Sequence, residues 1–293
     1  MSGLSSTKSG ELESNLTAPA RSKFVPRLMI ADDDPAIAQF ITAGCEKIGF
    51  KVETAENGIE TLIKAWKTWP DVLIVDVNMP GPDGISAAAR ILKTYPRPLE
   101  VIVITGRPDA KAEIRCDGLG FHYCSKIGGF WKNIEAILTE IFHNMAARRK
   151  LSSLSGDMLA RQPRVLVVDD DLTVGTFLID RFVKFGVVAF YASDANRAFR
   201  VACENCPSAI IADYHMPAGN AQHLLARLRS NSKTQDIPVF VMSGRQIDEA
   251  TEKQLKQESF GRPGVTKILK KPFNIGELVD AIAKMCEHEI VDA

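Results

Sequence analysis

The sequence predicts an α/β protein of two doubly wound, five-stranded parallel sheets, and three observations carry that expectation. The chain repeats itself: Asp33 precedes Asp76 by 43 residues, and Asp170 precedes Asp213 by the same 43. The two pairs lie 137 residues apart, and both later acids end an apolar run leading to Met-Pro, in "DVLIVDVNMP" (71–80) and "AIIADYHMP" (209–217). A spacing matched at two motif pairs marks a tandem duplication. Apolar runs of strand length also alternate with amphipathic helical patterns in each half, as in a parallel sheet covered by helices on both faces. Finally, 293 residues leave room for about two ordinary domains, and a 45% hydrophobic content suffices for a core in each.

In the first half, β-branched runs place strands near 27–31, 51–55, 71–76, 100–105 and 120–124. Pro35 suits a first helical turn, and Ile37, Phe40, Ile41 and Ile48 follow at helical spacing. Trp66 and Trp69, before Pro70, are expected to pack the second helix. Ile134, Ile137, Leu138, Ile141 and Phe142 place a last helix on this half, running into a polar segment broken by Ser152–Gly156 and closed by Pro163. The second half has strands near 164–168, 187–191, 208–213, 237–242 and 264–268, and a final helix carrying Leu278, Val279, Ile282 and Met285. The division is therefore a polar arm over 1–26, expected to be disordered, a unit over 27–145, a linker over 146–163 and a second unit over 164–288.

Composition narrows the function classes. Lys plus Arg equals Asp plus Glu, 36 each, so no overall field draws the chain to nucleic acid or an anionic membrane. No apolar run approaches the roughly 20 residues of a membrane span, and the first 26 residues lack the apolar stretch of a signal peptide. The six cysteines are scattered, as in a reducing cytoplasm. Cys203 and Cys206 form a lone Cys-x-x-Cys late in a helix without a second pair for zinc, and His143-Asn144 matches nothing specific.

The chemistry lies at the strand ends. "LMIADDDPAI" (28–37) and "VLVVDDDLTV" (165–174) run apolar strands straight into three acids. Asp34 and Asp171 read as helix N-caps. If strands one and three are neighbours, Asp32, Asp33 and Asp76 converge, as do Asp169, Asp170 and Asp213, at the strand ends where such sheets collect ligands. Three carboxylates in one pocket call for a hard divalent cation, and Mg²⁺ suits an oxygen site that meets phosphate. A carboxylate beside the metal can attack a phosphoryl group to give an acyl phosphate. Strand four ends in Thr105 and in Ser243, and strand five is followed by Lys126 and Lys271, supplying donors for phosphoryl oxygens.

With these residues in order twice over, each half resembles the receiver domain of two-component response regulators, over roughly 27–145 and 164–288. The resemblance implies a flavodoxin-like fold with strand order 2-1-3-4-5. It implies Asp76 and Asp213 as phosphoacceptors, with a sensor histidine kinase or histidine phosphotransfer protein as donor. Asp33 and Asp170 would ligate Mg²⁺ directly, Asp32 and Asp169 through water, and the backbone carbonyls of Asn78 and His215 would complete the set. Lys126 and Lys271 would pair with phosphoryl oxygens, and Thr105 and Ser243 would swing toward them, drawing on Tyr123 as the aromatic switch.

The second half departs from that pattern with Ile268 at the switch position, Ala-Gly-Asn in place of Asp83-Gly84, and 28 residues from Ser243 to Lys271 against 21 from Thr105 to Lys126. In the first half, Ile127 stands where the family has Pro after the Lys. The first half is therefore expected either to keep a strained cis bond there or to take a trans bond that redirects the chain and displaces Lys126, and Asp76 is expected to be phosphorylated more slowly than Asp213.

The leading expectation is a cytoplasmic phosphorelay response regulator that is not an enzyme beyond its own phosphorylation and dephosphorylation. It signals by binding a downstream protein or a second copy of the chain, without a DNA-binding output domain, nucleic acid or membrane. Two alternatives stay open: a phosphorylation-independent scaffold with one degenerate receiver, and a Mg²⁺-dependent aspartyl-phosphate phosphatase. The second lacks an acid two residues after each nucleophile, where Asn78 and His215 stand.

Overall fold

The alternation of apolar runs and helical patterns becomes two sheets in the computed structural model, which describes residues 25–216 and 219–282. The arm expected over 1–26, save its last two residues, and Met285 lie outside the described residues. The first unit runs β1 (Arg27–Ala31), α1 (Pro35–Lys47), β2 (Lys51–Ala55), α2 (Gly58–Thr68), β3 (Val72–Asp76), α3 (Gly84–Thr94), β4 (Glu100–Thr105), α4 (Ala110–Leu119), β5 (His122–Ser125) and α5 (Phe130–Ser152). After α6 (Gly156–Arg161) the second runs β6 (Arg164–Val168), α7 (Leu172–Lys184), β7 (Val188–Ala192), α8 (Ala195–Asn205), β8 (Ala209–Asp213), α9 (Ala221–Arg229), β9 (Val239–Ser243), α10 (Glu249–Lys256) and β10 (Lys267–Lys270). Residues 275–282 are helical again.

Both sheets are parallel, ordered β2-β1-β3-β4-β5 and β7-β6-β8-β9-β10, the strand order the resemblance implies. Side chains that alternate along a strand enter different cores. Leu28 and Ile30 of β1 pack on one face with Ile41, Ile74 and Leu138, while Met29 and Ala31 pack on the other with Val75, Ile85 and Ile91. The order reverses between β1 and β3, and again between β6 and β8, which opens a crevice at the carboxyl ends of those strands. The acids that follow β1 and β6 also start the next helices. Asp34 accepts from the amides of Ala36 and Ile37 at the head of α1, and Asp171 from those of Thr173 and Val174 at the head of α7.

Trp66, Trp69 and Tyr95 form an aromatic cluster at the end of α2. The extra length between Ser243 and Lys271 does not lengthen a helix. α10 has 8 residues against 10 in α4, and the surplus forms a turn closed by a bridge between Ser259 and Arg262. Among the described residues no helix is long and apolar enough to cross a membrane.

The structure differs from the polar linker expected over 146–163. α5 continues to Ser152 and is shared by two cores. Ile134, Leu138 and Ile141 pack into the first, and Ala147 packs with Leu166, Val188 and Phe190 of the second. Polar contacts flank this helix. Arg197 Nε of α8 donates to Glu140 Oε1 at 2.6 Å, and Arg148 donates to Glu100 at 2.9 Å and to Glu204 at 2.8 Å. The polar residues that look solvent-facing in sequence are held between the two units.

Buried His122 of β5 also lies in this interface, against the Arg197 guanidinium and with Glu100 Oε2 at 4.0 Å. Burial, then the charges of Arg197 and Arg200, hold its pKa well below the ordinary value, so it is neutral when folded. In the unfolded chain it takes up a proton below about pH 6.5. Its contribution to stability is therefore fully present above about 6.5 and is lost by about 1.4 kcal/mol per unit as pH falls. His143 of α5 is also lowered by burial and adds to the same limb, so the measurement is a difference. His122→Gln is expected to flatten the fall of thermal stability between pH 6.5 and 5 relative to wild type. Identical slopes would contradict a neutral His122.

Candidate functional site

Each crevice pairs two strand-end acids with one lysine. Asp32 follows β1 and Asp76 ends β3, both buried, because the strands that carry them are core strands on both faces. Two buried carboxylates side by side repel unless a cation joins them. Lys126, one residue past β5, lies 2.7 Å from Asp32 Oδ2 and 2.8 Å from Asp76 Oδ1. In the second unit Lys271 lies 2.8 Å from Asp169 Oδ2 and 2.7 Å from Asp213 Oδ1.

Backbone amides complete the cradle. The Asp34 and Asp171 amides donate to Asp32 and Asp169 at 3.0 Å, the Asn78 amide to Asp76 at 2.8 Å, and the His215 amide to Asp213 at 3.0 Å. Burial raises the carboxyl pKa of Asp32 and of Asp169, against the opposing pull of the Lys and the backbone amide. Burial works to lower the two lysines, but the neighbouring carboxylates prevail and leave both raised. The cluster thus holds its lysine firmly protonated.

Gly84 is required beside the first site: a Cβ there would lie 2.0 Å from the Asp76 carbonyl oxygen. Asp83 caps α3 through the amide and hydroxyl of Ser86. The second unit, which lacks Asp-Gly, supplies the cap from Asn220, which accepts from the His223 amide at 3.1 Å. Sequence reasoning passed over Asn220, although the 137-residue offset from Asp83 points to it.

The hydroxyls stand elsewhere. Thr105 Oγ1 donates to the Arg107 carbonyl at 2.9 Å and accepts from the Arg107 amide, and Ser243 does the same with Arg245, donating at 2.8 Å. Both are buried and turned into their own loops. The Tyr123 hydroxyl accepts from the Asp109 amide at 3.0 Å, tying β5 to the loop before α4.

One expectation is corrected. Lys126 is not displaced by the Ile127 that follows it; its distances to the acids match those of Lys271. The attraction of two buried carboxylates fixes the ammonium, and Gly128 and Gly129, both at positive φ, let the chain turn away behind it. The ranking of Asp213 above Asp76 loses its physical ground.

The residues of the first site fit a divalent cation. Oxygens of Asp32, Asp33 and Asp76 lie within 4.8 Å of one another, and among the described residues this is the one carboxylate group so closely gathered. Asp76 Oδ1 is buried, with the Lys126 ammonium at 2.8 Å as its charged neighbour. Asp33 and Asp170 are exposed at the rim of their sites.

Comparison with known proteins identifies the family of each half. The family model of the response regulator receiver domain matches residues 28–125 and 165–283. A protein-glutamate methylesterase/protein-glutamine glutaminase of Archaeoglobus fulgidus is 25% identical over 216 residues, 71% of this chain and 60% of that protein. The transcriptional regulatory protein PrrA of Mycobacterium leprae is 35% identical over 82 residues, 28% of this chain and 35% of its own length. Among solved structures, the Francisella response regulator 1452 receiver domain is 28% identical, with 44% of this chain and 99% of that chain covered and a TM-score of 0.38. The chain thus spans less than two thirds of the length of these curated relatives. The expectation of a protein that is not an enzyme is corrected here, because several of the matched relatives are methylesterases.

Proposed function

Because the chain belongs to the response regulator receiver domain family, matched once in each half, we propose that it is a phosphorelay protein accepting phosphoryl groups on Asp76 and Asp213. Receivers of this family bind Mg²⁺ at the acidic pocket and interact with histidine kinases and downstream proteins. The reading rests above all on one observation: in each unit a lysine bridges the acid after the first strand to the acid ending the third. A pocket held in this way has part of its negative charge offset before a phosphoryl group arrives and has a cation in place to receive it.

In the reaction, a carboxylate oxygen of Asp76 attacks the phosphorus of a phosphohistidine. A P–O bond forms, the P–N bond breaks, and the imidazole leaves with the electron pair and takes up a proton. Lys126 exchanges its contact with Asp76 for one with a phosphoryl oxygen. Thr105 releases the Arg107 carbonyl and turns inward, which frees the loop that Tyr123 holds through Asp109. Asp213, Lys271 and Ser243 act alike in the second unit, where Ile268 leaves the aromatic step without a counterpart. Asp32, Asp33, Asp76 and the Asn78 carbonyl would hold Mg²⁺ in the first unit, and Asp169, Asp170, Asp213 and the His215 carbonyl in the second. When bound, the ion would supply positive charge to offset that of the phosphoryl oxygens.

We retain 27–145 and 164–288 as the two units, with a cytoplasmic location and a histidine kinase or phosphotransfer protein as donor. The scattered free thiols, Cys45, Cys116 and Cys124 among them, support that compartment.

Metal binding tests the acid assignment directly. Affinity at an oxygen site follows the charge of its ligands, so Asp33→Asn is expected to weaken Mg²⁺ binding at the first site by on the order of tenfold or more. Asp170→Asn is expected to do the same at the second. Calorimetric titration reads both, and undiminished uptake by the double variant would refute the ligand set.

A further inference from the structure

The two units differ at a strand of the same rank. β2, KVETA, is largely exposed, whereas β7, VAFYA, is buried throughout. Both are edge strands, β7 pairing only with β6, and an edge strand leaves backbone groups without partners. α5 of the first unit covers this edge. Buried Asn144 meets Tyr191 with both ends of its amide: Nδ2 donates to the Tyr191 carbonyl and Oδ1 accepts from the Tyr191 amide, each at 2.8 Å. One side chain thus acts as a residue of a sixth strand.

Tyr191 passes the connection on. Its buried hydroxyl donates to the carbonyl oxygen of Asp169 at 2.6 Å. The ring reaches that position because residue 175 is glycine; a Cβ there would lie 2.2 Å from the ring. Asp169 is the acid whose carboxylate holds Lys271. Hydrogen bonds at the two ends of Tyr191 therefore join a helix of the first unit to the backbone of an acid in the pocket of the second. The first unit has no equivalent. The 137-residue offset puts exposed Thr54 at the place of Tyr191 and Ala38 at that of Gly175, and Thr54 carries no phenol to reach the Asp32 carbonyl.

We propose that Asn144 and Tyr191 are positioning residues for the second site, so that Mg²⁺ binding and phosphorylation at Asp213 depend on the docking of α5, whereas those at Asp76 do not. This inference rests on reading Asp169, Asp170 and Asp213 as the second Mg²⁺ and phosphoryl site. Ligands hold a metal or a reacting group well only when the groups behind them fix their position. The Tyr191 hydroxyl and the Asn144 amide do this for the backbone that carries Asp169 and Asp170.

Two variants test it in the full chain. Tyr191→Phe removes one hydroxyl and keeps the ring, and Asn144→Leu removes the amide and keeps the bulk. In an Asp33→Asn/Asp76→Asn background, which strips the first site of two of its three carboxylates, calorimetric titration with Mg²⁺ alone reads the second site, and either variant is expected to weaken it about tenfold. With Asp33 and Asp76 intact, acetyl phosphate labelling read by peptide mass is expected to fall at Asp213 and to stay at the wild-type rate at Asp76 in the same molecules. General destabilisation would slow both sites together, and that result overturns the proposal. A Tyr191→Phe variant with wild-type Mg²⁺ affinity and an unchanged Asp213-to-Asp76 ratio overturns it as well, even where Asn144→Leu fails to fold. A parent chain that neither binds Mg²⁺ at the second site nor takes label on Asp213 removes the underlying reading, and the inference falls with it before any variant is compared.

Discussion

Incubation with acetyl phosphate and Mg²⁺ is expected to add two phosphoryl groups to the wild-type chain, one to Asp76→Asn or Asp213→Asn, and none to the double variant. The effect is all-or-none because an asparagine keeps the shape of the side chain and lacks the anionic oxygen that attacks phosphorus. Intact mass counts the groups, and treatment with hydroxylamine removes them as it does other acyl phosphates. The alternatives separate in the same experiment. A scaffold with one degenerate unit takes a single group, and a phosphatase releases phosphate continuously from the donor while holding little label. Label persisting in the double variant would show that the acceptors lie elsewhere.

Glu140→Ala is expected to destabilise the docked pair of units by about 3–5 kcal/mol, the usual consequence of stripping one partner from a buried ion pair. Glu140 sits on α5 with its side chain 2% exposed, and Arg197 sits on α8 with its side chain 15% exposed, so the bond lies in the interface. Without Glu140 the guanidinium stays charged, because arginine does not give up its proton at accessible pH. The reverse change is milder. Burial already raises the Glu140 carboxyl pKa, so in Arg197→Met the glutamic acid is free to take up a proton and shed its charge, at about 1–3 kcal/mol for a buried polar group short of a partner. The midpoint of the first denaturant transition should therefore fall further for Glu140→Ala than for Arg197→Met. Equal shifts, or a silent Glu140→Ala, would place the pair in solvent.

Much of the site was legible before any coordinates. Asp32 and Asp76 each stand at the end of an apolar run, with Asp33 one residue on from Asp32, and hydrophobic periodicity alone sets the ends of such runs to within a few residues. The fifth strands were the least well placed, expected at 120–124 and 264–268 and found at 122–125 and 267–270, because short strands carry few residues from which to read a period. The caps at Asp34 and Asp171 were also legible, since capping is a contact with the next turn of the same helix. The apolar character of VAFYA beside KVETA was a visible sign that one edge strand is covered, though it does not say by what.

What the sequence determined by itself is the duplicated α/β architecture and the strand-end positions of Asp32, Asp76, Asp169 and Asp213, because period, spacing and strand-end position are properties of neighbours along the chain. The tertiary structure alone decided that Lys126 reaches its acids in spite of Ile127, that Thr105 and Ser243 face their own loops, and that α5 belongs to two cores. It also decided that Asn144, unremarkable beside His143 in the sequence, faces Tyr191 across 47 positions of chain. Contacts of that range form only where two folded surfaces dock, and the geometry of docking follows from the shapes of both surfaces and from no local pattern in either.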